Sequence, residues 1–407
     1  MAGKYTAPGF SSGRIMIPAA QPEKWAVIAC DQFTSTRKYW DDAERIVGDA
    51  PSALRITLPE IYLPETEERI PKIRAAMAEY AENGALKTGV EDGFILVARQ
   101  TLGGLRLGLV GLIDLDEYEY TPGAKALVRP TEGTIPERVP PRARIRKGAL
   151  MELPHVMMLI DDAKGRLIES LYAKKDQLRV VYDFELMLGG GHITGYAVEG
   201  GAAAEAMAAL RGLYAESDGL LYAVGDGNHS LAAAKSCWMD IKKELSADQA
   251  AAHPARYSMV ELVNIHCPAL VFEPIYRIVK NATVSGIIPA YENYLKARGV
   301  EWSDGSDVRV IGEGSEKGYG FAAHPLADLQ DFLQEYVSAH PETELDYIHG
   351  EDELRRLAAE GGVGFMLRVI DKSELFGFIR ERGVLPRKAF SMGEAQDKRY
   401  YMEARFI

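Results

Sequence analysis

The sequence predicts an α/β protein in which helices and strands form mixed α+β layers. Short apolar runs indicate buried strands, and apolar residues at helical spacing indicate helices between them. Segments rich in glycine, proline and asparagine separate the two kinds of run. Helices and strands alternate along the C-terminal half, as expected of a layered α/β arrangement. At 407 residues, 47% of them hydrophobic, the chain is long enough for two or three domains.

The predicted strands are apolar runs that end in turn residues. The first run leads into the polar segment 31–35, as expected of a buried strand followed by a loop. A Gly-Gly pair between the second and third runs predicts a hairpin, and alternating apolar residues predict a half-buried strand after it. In chain order, strands are predicted over residues 25–30, 93–100, 105–115, 178–186, 219–224, 259–265, 270–272, 308–311, 347–348 and 363–370.

The predicted helices have one apolar face and end near residues that favour helix termini. Pro71 suits the first turn of a helix. Leu231, Ala234 and Trp238 fall on one face of another, where we expect them to pack in the core. In chain order, helices are predicted over residues 70–80, 202–213, 231–245, 288–298, 326–340, 352–360 and 372–382.

Three regions are expected from this pattern. Residues 1–150 form a mixed α/β region with a basic loop over 125–147, residues 151–285 form the core, and residues 286–407 form a C-terminal α/β region with a basic tail. No internal repeat or low-complexity linker is present in the sequence.

Charge and composition narrow the classes of partner. The net charge of −12 opposes attraction to nucleic acid or anionic lipid. The three cysteines lie far apart, so neither a disulfide framework nor a paired-cysteine metal site is predicted. The sequence has no signal-peptide pattern and no apolar run of bilayer length. We therefore expect a cytoplasmic protein with a small-molecule substrate, without nucleic-acid or membrane partners, and leave its oligomeric state open.

The strongest indication of chemistry is the sequence Gly-Asp-Gly-Asn-His-Ser between a predicted strand and a predicted helix. Gly225 and Gly227 allow unusual backbone angles, and Asn228 or Ser230 suits the helix cap. The first amides of the helix would bind phosphate or carboxylate, and His229 would add a hydrogen bond or proton transfer. Because these residue types are also typical of turns, a purely structural role explains them about equally well.

Asp226 does not favour an anion directly. A carboxylate in such a loop would activate a hydroxyl, hold a metal ion or ribose, or close the turn through its own backbone. The glycine spacings of dinucleotide-binding and P-loop motifs do not occur here. Any nucleotide site is therefore of another type.

An ordered set of segments resembles the domain-of-unknown-function family 1015. The Gly-Asp-Gly-Asn-His-Ser sequence resembles the Ala-Asp-Gly-His-His-Arg signature of that family, and Arg-Pro-Thr-Glu-Gly-Thr from Arg129 resembles its Arg-His-Glu-x-Thr segment. Further similarity covers residues 262–277, 346–350 and 385–388. The chain departs from the signature where Asn228 replaces a histidine and Ser230 replaces the arginine, which removes a guanidinium suited to phosphate.

The signature is also similar to a loop of the ParB and sulfiredoxin superfamily, which begins a helix that contacts nucleotide phosphates. Some ParB-like proteins are free-serine kinases. The resemblance implies a ParB/sulfiredoxin-like nucleotide-binding core with an additional C-terminal α/β part, and ATP or ADP with Mg²⁺ as cofactors. It implies phosphoryl transfer to a small hydroxyl compound such as serine. The catalytic candidates are then Asp226, His229 and Glu132, and the candidates for cofactor binding are Gly225, Gly227, Asn228, Ser230, Arg129, Thr131, Thr134, Arg387 and Lys388.

Two other functions stay open. The same loop would serve a non-catalytic nucleotide or metabolite sensor, and a phosphatase of a phosphorylated metabolite needs a similar anion site. Phosphate affinity would come from the basic loop, through Arg129 or the arginines from Arg142 to Arg146, or from the basic tail, which is Arg387-Lys388 with Lys398-Arg399. Such charged runs are usually solvated surface. A capped turn explains Glu132 nearly as well as a catalytic role. The sequence leaves the substrate and the use of a metal undecided.

Overall fold

The structure is a computed structural model that describes residues 3–312, 314–386 and 388–407. Contacts divide the chain into two units: the first runs to Val271 and includes Gly393–Ile407, and the second is Phe272–Met392. Strands and helices occur in both, which confirms the predicted mixed α/β class. The expected boundaries near residues 150 and 285 stay a prediction, and the return of the last residues to the first unit is not among the sequence predictions.

The first unit is built on a mixed sheet. Its strands are β1 (Thr6–Ala7), β2 (Phe10–Ser11), β3 (Gly13–Pro18), β4 (Val27–Ile28), β5 (Leu86–Thr101), β6 (Gly104–Asp114), β7 (Val128–Pro130), β8 (Met151–Glu152), β9 (Met157–Ile160), β10 (Arg179–Glu185), β11 (His192–Val198), β12 (Tyr222–Asp226) and β13 (Tyr257–Asn264). Its helices are α1 (Pro22–Trp25), α2 (Arg37–Val47), α3 (Thr66–Glu82), α4 (Val139–Arg146), α5 (Ile168–Tyr172), α6 (Gly200–Glu216), α7 (Asn228–Lys242) and α8 (Ala247–Ala252).

The main sheet has the strand order β10-β11-β5-β6-β13-β9-β12-β7, with β3 beside β5 and β2 beside β6. Its two faces pack in different hydrophobic clusters. Ile95 and Val97 belong to the cluster that includes residues of α2 and α3, whereas Phe94 and Leu96 belong to the cluster that includes residues of α6 and α7. All four residues belong to β5. Because both faces of β5 are buried, its sequence is nearly continuously apolar here rather than alternating.

The structure confirms the predicted hairpin as β5 and β6, which pair antiparallel. It also confirms the strand and helix around the Gly-Asp-Gly loop as β12 and α7, and Leu231, Ala234 and Trp238 are buried as expected. The basic loop differs from prediction because it contains α4. Proline occupies the first turn of that helix, where it costs no hydrogen bond, so the Pro-rich sequence does not prevent a helix.

In the second unit, helices alternate with strands, as the sequence predicts. The elements are β14 (Phe272–Lys280), α9 (Val284–Ala297), β15 (Ser303–Gly312), β16 (Ser315–Gly320), α10 (Leu326–Ala339), β17 (Glu344–His349), α11 (Glu351–Gly361), β18 (Gly362–Leu367), α12 (Lys372–Arg382) and β19 (Phe390–Met392). The sheet has the order β16-β15-β18-β14-β17, with β19 paired to β14. The predicted strand over 270–272 is wrong in extent, because the observed strand starts at Phe272 and runs much further.

The C-terminal segment, Gly393–Ile407, belongs to the first unit and forms two short strands there. In this segment β20 (Tyr400–Tyr401) pairs with β4, and β21 (Arg405–Phe406) pairs with β8. The buried Arg99 guanidinium donates to the carbonyls of Gln396 and Lys398, both at 2.6 Å, and to Gly190 at 2.9 Å. These bonds fix the backbone of the segment against β5. Across the described ranges, no helix is long and apolar enough to cross a bilayer.

Candidate functional site

The Gly-Asp-Gly loop lies at one end of the strands of the main sheet. There β12 ends at Asp226, beside β7, which is parallel to it, and β9, which is antiparallel. The chain after Pro130 and the chain before Met157 therefore reach the same end of the sheet as the loop. Met157 is paired with Asp226 in the register, which places His155 just beyond that pair. Three separate segments of sequence thus meet at the N-terminus of α7.

Gly227 determines how the chain enters α7. It is the N-cap residue, with a φ of 83°, and no side chain caps the helix. The expectation that Asn228 or Ser230 caps the helix is therefore wrong, because both lie inside its first turn. Gly225 lies in β12 and has no positive φ, so only one of the two glycines uses a left-handed backbone. Glycine at the N-cap has no side chain that could accept from the first amides of α7, and a helix start of this kind suits an anion.

Asp226 is held by a cation from the C-terminal segment. Its Oδ2 lies 3.2 Å from Lys398 Nζ, and its Oδ1 accepts the N–H of Gly227 at 2.9 Å. Burial acts to raise the pKa of the Asp226 carboxyl, but the charges of Lys398 and His155, with these hydrogen bonds, hold that pKa below its ordinary value. Asp226 is therefore an anion at neutral pH and a weak proton acceptor.

His229 is engaged with the neighbouring loop. Its Nε2 accepts the N–H of Ile135 at 3.1 Å. This bond requires a lone pair on Nε2, so the neutral ring carries its proton on Nδ1. Nε2 is consequently not a proton acceptor for a substrate while the bond is in place. The predicted hydrogen-bonding role of His229 would use Nδ1 as a donor.

The loop that follows β7 carries the other predicted residues of this region. Arg129 is buried in β7, opposite Ala223 of β12. Thr131 is also buried, and its hydroxyl donates to the Val224 carbonyl at 2.8 Å, which anchors the loop to the sheet. Glu132 and Thr134 are partly exposed in the same loop. The structure therefore brings all of these residues close to the start of α7.

A cavity of about 130 Å³, here called the polar cavity, adjoins the first turn of α7. Ser230 and Ala233 line it on the α7 side, and Arg142 and Arg146 of α4 line it as well. The remaining polar lining comes from the segment after β4, from Thr57, from β8 and the segment that follows it, and from the C-terminal segment. Those residues are Cys30, Asp31, Thr57, Glu152, His155 and Tyr401.

Tyr401 connects two of these lining residues. Its hydroxyl lies 2.9 Å from Cys30 Sγ and 3.1 Å from His155 Nδ1. Burial, aided by the charge of Asp31, raises the pKa of the Cys30 thiol to about 12. Cys30 is therefore protonated at neutral pH and is not an activated nucleophile. The partly exposed Asp31 also lines this cavity, as does the buried Glu152.

The cations of the polar cavity are already paired with acids. Arg142 pairs with Glu60, and Arg146 lies 2.5 Å from Glu152. Glu152 also lies 2.8 Å from Arg405 of the C-terminal segment. A bound phosphate would therefore share these guanidinium groups with existing carboxylates. Among the residues that the structure describes, no group of three His, Cys, Asp or Glu side chains is arranged to hold a metal ion.

Of the predicted basic tail, Lys398 reaches the start of α7, where it pairs with Asp226. Lys388 belongs to the second unit, where its ammonium lies 4.6 Å from the ring centre of Tyr347. Arg387 lies outside the described residues. Asp31, His155 and Tyr401 are not among the predicted site residues and come from segments remote in sequence. The polar segment after the first predicted strand is the one local signal that points to any of them.

These features define a mixed α/β protein whose candidate site combines a helix N-terminus with acidic and basic side chains. The sequence matches the family described as "Protein of unknown function (DUF1015)" over residues 16–324, and the chain belongs to that family. No curated protein matches the chain significantly.

Several solved structures are similar at low sequence identity. A mutant free serine kinase in complex with ADP is 12% identical, with a TM-score of 0.38, and covers 72% of this chain and 90% of its own. A conserved hypothetical protein from Pyrococcus furiosus is 13% identical, with a TM-score of 0.33 and coverages of 70% and 90%. Truncated SbnI from Staphylococcus aureus is 9% identical, with a TM-score of 0.36 and coverages of 70% and 82%. These TM-scores are low, so the function is inferred from the residues of this chain.

Proposed function

We propose that this protein is a nucleotide-dependent phosphotransferase that transfers a phosphoryl group to a small hydroxyl compound. The observation that carries the proposal is the composition of the polar cavity. The uncapped start of α7 contributes Ser230 to a cavity that a carboxylate, Asp31, and a guanidinium, Arg142, also line. Phosphoryl transfer requires a site for the charged phosphate and an acceptor for the hydroxyl proton, and both kinds of group are present.

The phosphate-binding part of the proposal rests on the first turn of α7. The amide groups of this turn and the positive end of the helix dipole favour a phosphate oxygen. Ser230 replaces the arginine of the family signature, so the cationic contribution has to come from other segments. Arg142 and Arg146 line the cavity from α4 and would supply it. The similarity of the loop to that of ParB and sulfiredoxin agrees with this role.

The proton-acceptor part of the proposal favours Asp31 over Asp226. Asp31 lines the cavity, whereas Asp226 is paired with Lys398 and has a lowered pKa. In the reaction, the acceptor hydroxyl attacks the terminal phosphorus, the bond from that phosphorus to the bridging oxygen breaks, and the hydroxyl proton passes to Asp31. Asp226 then orients the loop, and Glu132 stays a predicted site residue beside it.

ATP or ADP with Mg²⁺ is the proposed cofactor. Mg²⁺ commonly binds through one or two carboxylates together with substrate phosphates, so a protein-only metal site is not required. Asp226 at the end of β12 and Glu132 in the loop after β7 are the candidate carboxylates for Mg²⁺ in this scheme. Bound Mg²⁺ would neutralise part of the phosphate charge during transfer.

A second function, nucleotide binding without catalysis, is favoured by two observations. Asp226 is already paired with Lys398, and Nε2 of His229 already accepts a backbone N–H. Two of the three catalytic candidates are thus committed to structural bonds. A regulatory protein that only binds a nucleotide needs the amides of α7 but no proton acceptor.

The test is phosphorus NMR of the protein with ATP, ADP or CTP, Mg²⁺ and a panel of hydroxyl compounds that includes serine and threonine. A new phosphomonoester signal is the expected result. Asp31→Asn should lower its rate of formation by at least roughly 100-fold, because a positioned base contributes about that factor. The matched control is Asp41→Asn, which changes an exposed carboxylate of α2 and should leave the rate unchanged.

Other outcomes separate the alternatives. Release of inorganic phosphate without a phosphomonoester would indicate a hydrolase. Calorimetric binding of a nucleotide without turnover in any mixture would support the regulatory function. Absence of nucleotide binding to the full chain would remove the premise of both proposals.

A further inference from the structure

A second and larger cavity lies beside α4 and α7 within the first unit. Its volume is about 570 Å³, which is within the range of small-molecule sites. We call it the apolar cavity, because much of its wall consists of Val139, Ala143, Ala234, Trp238, Ile241 and Ile407. It belongs to a different part of α7 from the polar cavity, which meets only the first two turns of the helix.

The apolar wall is structurally well supported. Trp238 is buried, and its indole N–H donates to Asp116 at 2.8 Å, so the polar atom of the ring is already satisfied. The ring also stacks with His253, at 5.8 Å between the ring centres. His253 Nδ1 accepts the N–H of Ala255 at 3.1 Å, so the neutral imidazole carries its proton on Nε2 as a donor. The wall therefore offers apolar surface with a hydrogen-bond donor beside it.

Most charged residues of the lining are paired with a described residue of opposite charge, and one cation is not. Arg144 pairs with Glu67 and Arg146 pairs with Glu152. Asp240, an acidic residue of the lining, pairs with Lys243 at 2.8 Å. Lys147 also lines the cavity and makes no ion pair with a residue that the structure describes. A ligand that matches this lining therefore carries a negative charge.

The charges of these residues act on Cys237, a residue of the cavity wall. Burial raises the pKa of the Cys237 thiol, the charges of Arg146 and Lys147 act to lower it, and the charge of Asp240 acts to raise it. Cys237 and Asp240 are both part of the lining. An anion bound beside Lys147 would therefore be attracted by the two cations and repelled by Asp240.

We propose that the apolar cavity binds a small monocarboxylate with an apolar body, whose charged end lies at Lys147. Apolar walls, a donor at His253 and an unpaired ammonium together match that chemistry and do not match a polar metabolite. The proposal does not rest on the phosphotransferase activity, although Arg146 and Ala149 line both cavities. An aliphatic acid and an aromatic acid satisfy the same description, and the experiment distinguishes them.

The test is calorimetric titration of the full chain with octanoate and with phenylpropionate, each beside the corresponding alcohol. At least one acid should bind, and its alcohol should bind roughly fivefold more weakly, because an ion pair at an exposed lysine contributes up to about that factor. Lys147→Met should remove this preference. The matched control, Lys125→Met, changes an exposed lysine outside both cavities and should retain it.

A second variant, Ala143→Trp, should fill the cavity and abolish binding of acid and alcohol alike. Equal affinity for acid and alcohol, or unchanged binding by folded Ala143→Trp protein, would overturn the proposal. Absence of binding by both acids would overturn it as well. Nucleotide titrations of the same preparations report on the phosphotransferase proposal separately, because they depend on the start of α7.

Discussion

Lys398 Nζ lies 3.2 Å from Asp226 Oδ2, although almost half of the sequence separates the two residues. The side chains are only 15% and 19% exposed, so each charge depends on the other for compensation. The C-terminal segment therefore holds the candidate site in place through a charge as well as through strand pairing.

Removal of this ammonium should destabilise the first unit. We expect Lys398→Met to lower the free energy of unfolding by about 3 kcal/mol, the lower end for breaking a buried pair, because the pair keeps some exposure. Urea denaturation measures the change. Adding Asp226→Asn to this variant should recover part of the loss, since no buried carboxylate is then left unpaired. A double variant less stable than either single variant would contradict the pairing.

The contribution of the Asp226 carboxylate to the free energy of unfolding should decrease at low pH. Its pKa in the folded protein is below the ordinary value of 3.8, so it stabilises the fold above that value and loses this effect as the pH falls through the folded pKa. The stability difference between the wild-type protein and Asp226→Asn should stay constant from about pH 7 to 5 and shrink below about pH 4. Urea denaturation of both proteins across this range tests the sign. A difference that grows on acidification would contradict it.

The entry into α7 should require glycine at position 227. Gly227 has a φ of 83°, and an added Cβ would lie 3.0 Å from Val156 Cα. Gly219 is a matched control, because its φ is 77° and an added Cβ would meet nothing within 4 Å. Gly219→Ala should cost about 1 kcal/mol from the left-handed backbone alone, and Gly227→Ala should cost clearly more. Equal unfolding free energies for the two variants would show that the contact with Val156 is unimportant.

Arg99 should be necessary for holding the C-terminal segment. Its guanidinium donates to the carbonyls of Gly190, Gln396 and Lys398, and a single ammonium does not reproduce these bonds. We expect Arg99→Lys to cost about 3 kcal/mol, because buried carbonyls lose their donors. Limited proteolysis should also cleave the segment sooner. Arg211→Lys is the control, because Arg211 makes one exposed bond, to the Thr6 carbonyl at 2.7 Å.

Local patterns predicted the elements around the candidate loop but not their partners. The strand and helix that flank Gly227 follow from apolar spacing and glycine, which act over a few residues. The approach of Lys398 and His155 depends on β-pairing between segments far apart in sequence, for which spacing along the chain gives no indication. The sequence also predicts the wrong cap for α7. Asn228 and Ser230 have the usual capping chemistry, but both have a helical backbone, and the N-cap is Gly227.

The return of Gly393–Ile407 to the first unit also has a consequence for synthesis on the ribosome. Chain growth at about 5–20 residues per second means that β4 and β8 wait on the order of tens of seconds for their partner strands, because much of the chain lies between the paired strands. During that interval their edges, and the Asp226 carboxylate, lack the groups that later cover them. A nascent chain at this stage exposes an incomplete sheet edge, which is the kind of surface that chaperones protect from aggregation.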